Sequence, residues 1–154
     1  MRLILQELGA TFATPDQLAR VLVRLVAAAC VGAIIGLQRQ HAHKPAGLRT
    51  HMLVSLGSAV FVLAPLELHV PIGEVGRVIQ GVAAGIGFIG AGAILKRNDE
   101  SDVQGLTTAA GIWLTAGVGV AIGLGAIGVA LLAMLLTWFI LSVIGHFERR
   151  MNRS

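Results

Sequence analysis

Gly47-Leu48-Arg49-Thr50 opens one long apolar run, and Gly105-Leu106-Thr107-Thr108, 58 positions later, opens another. Aligning residues 31–64 with 89–122 without a gap gives ten identities. These are Gly32/Gly90, Ala33/Ala91, Leu37/Leu95, Arg39/Arg97, Gly47/Gly105, Leu48/Leu106, Thr50/Thr108, Leu56/Leu114, Val60/Val118 and Val62/Val120. The polar matches carry the most weight, because Gly, Ala and Leu are common throughout the chain. A repeated pair of membrane helices places two related helix starts on one side of a bilayer.

The composition agrees with a membrane reading. Apolar residues make up 55 % of the 154-residue chain, only 13 % is charged, and mean hydropathy is +0.80. A soluble domain carries about 25 % charged residues. The charges cluster between long uncharged runs, as in polytopic proteins. The net charge of +4 gathers at the ends of those runs without a basic, aromatic-rich patch. That pattern points to topology signals and excludes a nucleic-acid partner. The single Cys30 cannot form an intrachain disulfide and reads as a small packing residue. Residues 1–13 contain no convincing cleavable signal and are expected to form a short interfacial segment.

Five spans are predicted, at about 18–37, 48–66, 78–95, 106–124 and 126–144. Thr14-Pro15-Asp16 is a helix start: a capping hydroxyl, proline at the first helical position and an acid in the first turn. The fold class is therefore an all-α polytopic membrane protein. Spans 1–2 and 3–4 form an internal parallel repeat within a domain at 14–145, and a basic tail follows at 146–154. Five crossings put eight cations on one side: Arg39, Lys44, Arg49, Lys96, Arg97, Arg149, Arg150 and Arg153. The other side receives four: Arg2, Arg20, Arg24 and Arg77. The positive-inside rule then places the N-terminus outside and the C-terminus in the cytoplasm of a bacterial inner membrane.

The candidate functional residues lie at the helix ends. Hydroxyls of Thr50, Thr107 and Thr108 are placed to cap first-turn N–H groups behind Gly47 and Gly105. Two such starts, with Arg39, Arg49 and Arg97 nearby, concentrate positive potential where an anion could bind. On the opposite side, Glu74 and Arg77 form an i, i+3 pair, and Glu74 is expected to reach Arg24 or Arg20 across the boundary. Gly81, Gly85, Gly87, Gly90 and Gly92 mark the third span as a helix-packing face, within the chain or in a homo-oligomer. Trp113 and Trp138 are expected to pack inside the bundle.

The spans contain hydroxyls (Ser55, Ser58, Thr115, Thr137, Ser142) and no acid away from their boundaries. A magnesium path normally uses carboxylates, and proton-coupled carriers place an ionisable group in the membrane. The His41, His43 and His51 spacing fits no zinc pattern. No metal, cofactor or catalytic residue is expected, and the chain reads as a non-enzyme. A lipid-binding scaffold, resting on the basic ends around Arg39 and Arg49, is the blandest alternative.

Four stretches together resemble the MgtC/SapB membrane-protein family. They are Gly36-Leu37-Gln38-Arg39-Gln40, Lys44-Pro45-Ala46-Gly47-Leu48-Arg49-Thr50-His51, Gly85-Ile86-Gly87-Phe88-Ile89-Gly90-Ala91-Gly92, and Gly105-Leu106-Thr107-Thr108-Ala109-Ala110 with Trp113. The likeness covers about residues 16–145. It implies a five-helix inner-membrane protein linked to magnesium homeostasis and, in some members, to virulence. It further implies a regulator that contacts another membrane protein, the ATP synthase in the family, with a magnesium transporter or channel as the alternative. The chain departs from the family pattern at Gln38, where Glu is usual, and at Glu74, where Asp is usual. With ten residues after Ile144, it is not expected to carry the ACT-like domain of longer relatives.

Overall fold

The computed structural model describes Gly9 and residues 14–96 and 103–144. Five helices cross: α1 (Pro15–His41), α2 (Leu48–Glu67), α3 (Ile72–Gly92), α4 (Leu106–Gly123) and α5 (Ile127–Phe139). A π-helical turn at Ile140–Ile144 extends α5 to 18 residues. Each helix is long and apolar enough to span a membrane. Their outward faces remain strongly apolar, with Phe88 84 % exposed and Leu53, Phe61, Leu132 and Leu136 also uncovered. Lipid, rather than water, suits such a surface. The protein is a multi-pass membrane protein. The expected interfacial segment at 1–13 (Gly9 apart), the tail at 146–154 and the loop residues Arg97, Asp99, Glu100 and Asp102 lie outside the described residues.

The sequence at each helix end accounts for its position. The Thr14 hydroxyl accepts from the Gln17 backbone N–H at 3.2 Å, and the Gln17 side chain accepts from the Thr14 N–H at 3.3 Å. This reciprocal box, with Pro15 behind it, starts α1 as expected. At 27 residues α1 is about 40 Å long, so its last turn extends beyond a 30 Å hydrocarbon core. Pro65 lies inside the last turn of α2 rather than ending it. Two antiparallel residue pairs, Leu95 with Gln104 and Lys96 with Val103, close the α3–α4 connection. Gly105 then turns with φ +98°, and a Cβ there would overlap the Ala93 carbonyl. Only glycine fits both demands.

Helix α4 is central. Over its span 56 % is buried, against 17 % for α3 and for α5. It packs on α2, α3, α1 and α5. One apolar cluster joins Ala28, Val31 and Ile35 of α1 to Ala59 of α2, Val118 and Ile122 of α4 and Ala130 of α5. A second joins Ala46, Ile86 of α3, and Ile112 and Ala116 of α4. Missing side chains let the backbones meet. A Cβ on Gly32 would lie 2.5 Å from the His51 carbonyl, and one on Gly36 would lie 2.7 Å from Leu48 Cα. A Cβ on Gly119 would overlap the Ser55 carbonyl, and one on Gly123 would sit 2.9 Å from that of Ala59.

The outward position of Cys30 corrects the expectation that it packs inside. Trp113 and Trp138 are 54 % and 48 % exposed, so they too face the surroundings rather than the bundle. All three are exposed, and apolar periodicity does not separate lipid-facing from bundle-facing positions where lipid replaces water.

Candidate functional site

One polar seam runs between α1, α2 and α4, starting at the end where the α1–α2 and α3–α4 connections lie. Arg39, in the last turn of α1, is only 3 % exposed. Its Nη2 donates to the Thr108 hydroxyl at 2.7 Å. Deeper, the His51 ring is fully buried, and its Nδ1 lies 2.8 Å from the Thr115 hydroxyl. The Thr115 hydroxyl hydrogen is already given to the Gly111 carbonyl at 2.8 Å. The hydroxyl therefore accepts from His51, which fixes the proton on Nδ1 and leaves Nε2 with a lone pair when the ring is neutral. Ser55, one turn beyond His51 on α2, is also fully buried. Beyond it the seam closes against Ala59, Val62 and Ile122.

Four buried polar atoms have no hydrogen-bond partner among the described residues: Gln38 Oε1 and, along the seam, Arg39 Nε, His51 Nε2 and Ser55 Oγ. Among the described residues the guanidinium also lacks a carboxylate. Among the described residues the sole ion pair is Arg77 with Glu74, at 3.4 Å. Held among the described residues by one neutral hydroxyl, this buried cation is costly, and ionisable groups buried without a counter-charge are functional-site candidates.

The structure brings together some of the sequence candidates and separates others. Arg39 and Thr108, 69 positions apart, meet directly. Thr108 thus accepts from Arg39 instead of capping its own helix, and neither α2 nor α4 has a side-chain N-cap. Gly47 and Gly105 occupy the two N-cap positions, and Gln40 Oε1 accepts from the Leu48 N–H at 3.4 Å. Arg49 and Thr107 are exposed, and Thr50 is partly covered. Glu74 and Arg77 pair as expected but on an exposed surface. Arg24 does not meet Glu74. Its Nη1 donates to the Gly123 carbonyl at 3.0 Å, at the C-terminus of α4, and its guanidinium lies against Gly125, whose φ is +83°. The carbonyl end of a helix draws a cation as a carboxylate would, and α4 delivers it nearer.

Among the third-span glycines, only Gly90 packs on a neighbour, with Ala109 Cβ 3.5 Å from its Cβ position. Gly81, Gly85, Gly87 and Gly92 face open space within the chain. The residue that sequence reasoning undervalued is His51. Its signal was an ionisable side chain four residues into an apolar run. Among the described residues no cluster of His, Cys, Asp or Glu is arranged to hold a metal.

The MgtC family matches over residues 25–150, which takes in four spans in full, most of α1 and the whole polar seam. The chain belongs to the MgtC family. This MgtC-family chain is 45 % identical over 137 residues to Protein SrpB of Synechococcus elongatus, a match covering 82 % of the chain and 74 % of SrpB. It is 40 % identical over 145 residues to YhiD of Escherichia coli, named a putative magnesium transporter, covering 88 % of the chain and 66 % of YhiD. It is 42 % identical over 115 residues to Protein MgtC of Salmonella typhimurium, covering 75 % of the chain and 48 % of that protein. The chain thus spans between about half and three quarters of the length of these relatives. No solved structure matches it.

Proposed function

We propose that this MgtC-family protein serves magnesium homeostasis as a non-enzymatic regulator that contacts another membrane protein and does not conduct magnesium through its own bundle. The observation that carries this reading is the polar seam. It is headed by the buried Arg39 guanidinium, and it closes against Ala59, Val62 and Ile122. A divalent cation entering it would meet a fixed positive charge and apolar walls, where magnesium demands oxygen ligands, usually carboxylates. The ATP synthase is the partner class that the family resemblance supplies. The competing reading, a magnesium transporter, is favoured by the name of the YhiD relative. We place the N-terminus outside and the C-terminus in the cytoplasm, on the eight-to-four distribution of cations given above.

We also infer that α1–α2 and α3–α4 are copies of one helix pair. Support comes from their contacts: Gly32 packs on residue 51, and Gly90, 58 positions on, packs on residue 109.

The test is magnesium flux into proteoliposomes that contain only this protein, with empty vesicles as control. No flux from folded protein is the expected result, and cross-linking in native membranes should then capture a membrane partner. Saturable flux would overturn the regulator reading.

A further inference from the structure

An open cleft of about 650 Å³ lies between α2 and α3. Leu53, Gly57 and Phe61 form one wall and Val78, Gly81 and Gly85 the other, with the Ser58 hydroxyl as the one polar side-chain group in the lining. Nothing lies within 4 Å of the Cβ positions of Gly57, Gly81 and Gly85, so the glycines hollow the cleft rather than close a helix contact. The volume falls within the range of about 300–1,000 Å³ typical of small-molecule sites.

Each end of the cleft carries an arginine in register with its wall. On α3, Arg77 precedes Gly81 and Gly85 at i+4 and i+8 and shares their face, but Glu74 already pairs with it at 3.4 Å. On α2, Arg49 precedes Leu53 and Gly57 by the same intervals, about 6 Å beyond Leu53 along the axis. Arg49 is exposed and has no ion-pair partner among the described residues. It also lies in the first turn of α2, whose N-cap residue is Gly47, so the helix dipole adds to its positive potential.

We propose that the α2–α3 cleft is a binding site for one anionic phospholipid, its acyl chain lying along Gly57, Gly81 and Gly85 and its headgroup phosphate held by Arg49. Charge complementarity selects this occupant. An apolar helix from a second copy or another protein could fill the groove but brings no anion to Arg49. A free phosphate would satisfy Arg49 but leave the apolar cleft unused. Guanidinium and phosphate match as a bidentate pair. The site is separate from the Arg39 seam and does not depend on the regulator reading.

The test is native mass spectrometry of the full chain in detergent. It is titrated with phosphatidylglycerol, with phosphatidylcholine of the same acyl chains, and with inorganic phosphate. The expected result is one retained phosphatidylglycerol per chain in preference to phosphatidylcholine. Arg49→Gln should weaken that retention about fivefold, the worth of one surface cation toward an anionic membrane. Gly85→Leu, which fills the cleft from an open position, should reduce adducts of both lipids. Equal retention of the two lipids, or retention unchanged in Arg49→Gln, would overturn the proposal. Displacement of phosphatidylglycerol by inorganic phosphate would do so as well, by assigning the site to the headgroup alone. A dimer that carries no lipid and dissociates in Gly85→Leu would assign the cleft to a second copy.

Discussion

Arg39 and Thr108 show what a single side-chain pair contributes to this bundle. The guanidinium is buried, and among the described residues it donates to one neutral hydroxyl while its Nε has no partner. Thr108→Val removes the acceptor while leaving the charge in place, and should cost about 1–3 kcal/mol. The same change in an Arg39→Met background should cost much less, because the charge that needed the hydroxyl is gone. Chemical unfolding of the four proteins of this cycle in detergent reads the coupling, and additive losses would mean that the pair does not act as a unit. Both residues could be picked from the sequence, since Thr108 stands in a GLxT-like helix start and Arg39 is a polar match of the same repeat. Their meeting could not, because 69 positions and two intervening helices decide which faces of α1 and α4 turn together. His51 was legible only as an ionisable group in an apolar run. Its role as donor to Thr115 depends on the Thr115 hydroxyl being committed to Gly111.

The helices themselves were the legible part, because a span needs about 20 apolar residues and this sequence separates such runs with charge, proline and glycine. The azimuth of each helix was not. Chain position does not tell a glycine that admits a neighbouring backbone from one that faces a lipid-sized cleft. The structure makes the difference testable. Gly119→Ala would drive a Cβ into the Ser55 carbonyl, and backbone cannot swing aside as a side chain can. Overpacking of this kind costs about 1–3 kcal/mol. Gly85→Ala meets nothing within 4 Å and replaces a poor helix former with a good one. It should leave stability unchanged or raise it by up to about 1 kcal/mol. Thermal denaturation of both variants in one detergent checks the contrast, and equal losses would show that the cleft glycines pack after all. Arg24 belongs to this scale too, since it ties α1 to the C-terminal carbonyls of α4. Arg24→Ala should cost about 1.5–3 kcal/mol, the worth of a charge-assisted hydrogen bond. A loss of that size that persists in Glu74→Ala would separate this helix-end role from any contact with Glu74.

For the whole molecule, the number of crossings and the sign of the loops act together. Five spans force the α1–α2 and α3–α4 connections onto one side of the membrane and the α2–α3 and α4–α5 connections onto the other. Orientation then depends on which side retains the cations. The α1–α2 connection contains Lys44 and is flanked by Arg39 and Arg49, whereas the α2–α3 connection, Leu68 to Pro71, contains none. Of the three flanking and loop cations, Arg39 is the weakest topology signal, because its charge is buried against Thr108 rather than presented to headgroups. Lys44 and Arg49 are exposed and should carry the bias. In a Cys30→Ala background, a cysteine at His69, exposed between α2 and α3, should react with a membrane-impermeant maleimide in intact spheroplasts. A cysteine at Lys44 should react only after the membrane is opened. Removing Lys44 and Arg49 together while keeping Arg39 should yield a mixed population in which the Leu68–Pro71 connection is partly protected. The reverse labelling in the starting protein would place the polar seam's Arg39 end outside the cell. It would also transfer the proposed phospholipid site to the opposite leaflet, where the same Arg49 and cleft would meet a different lipid supply.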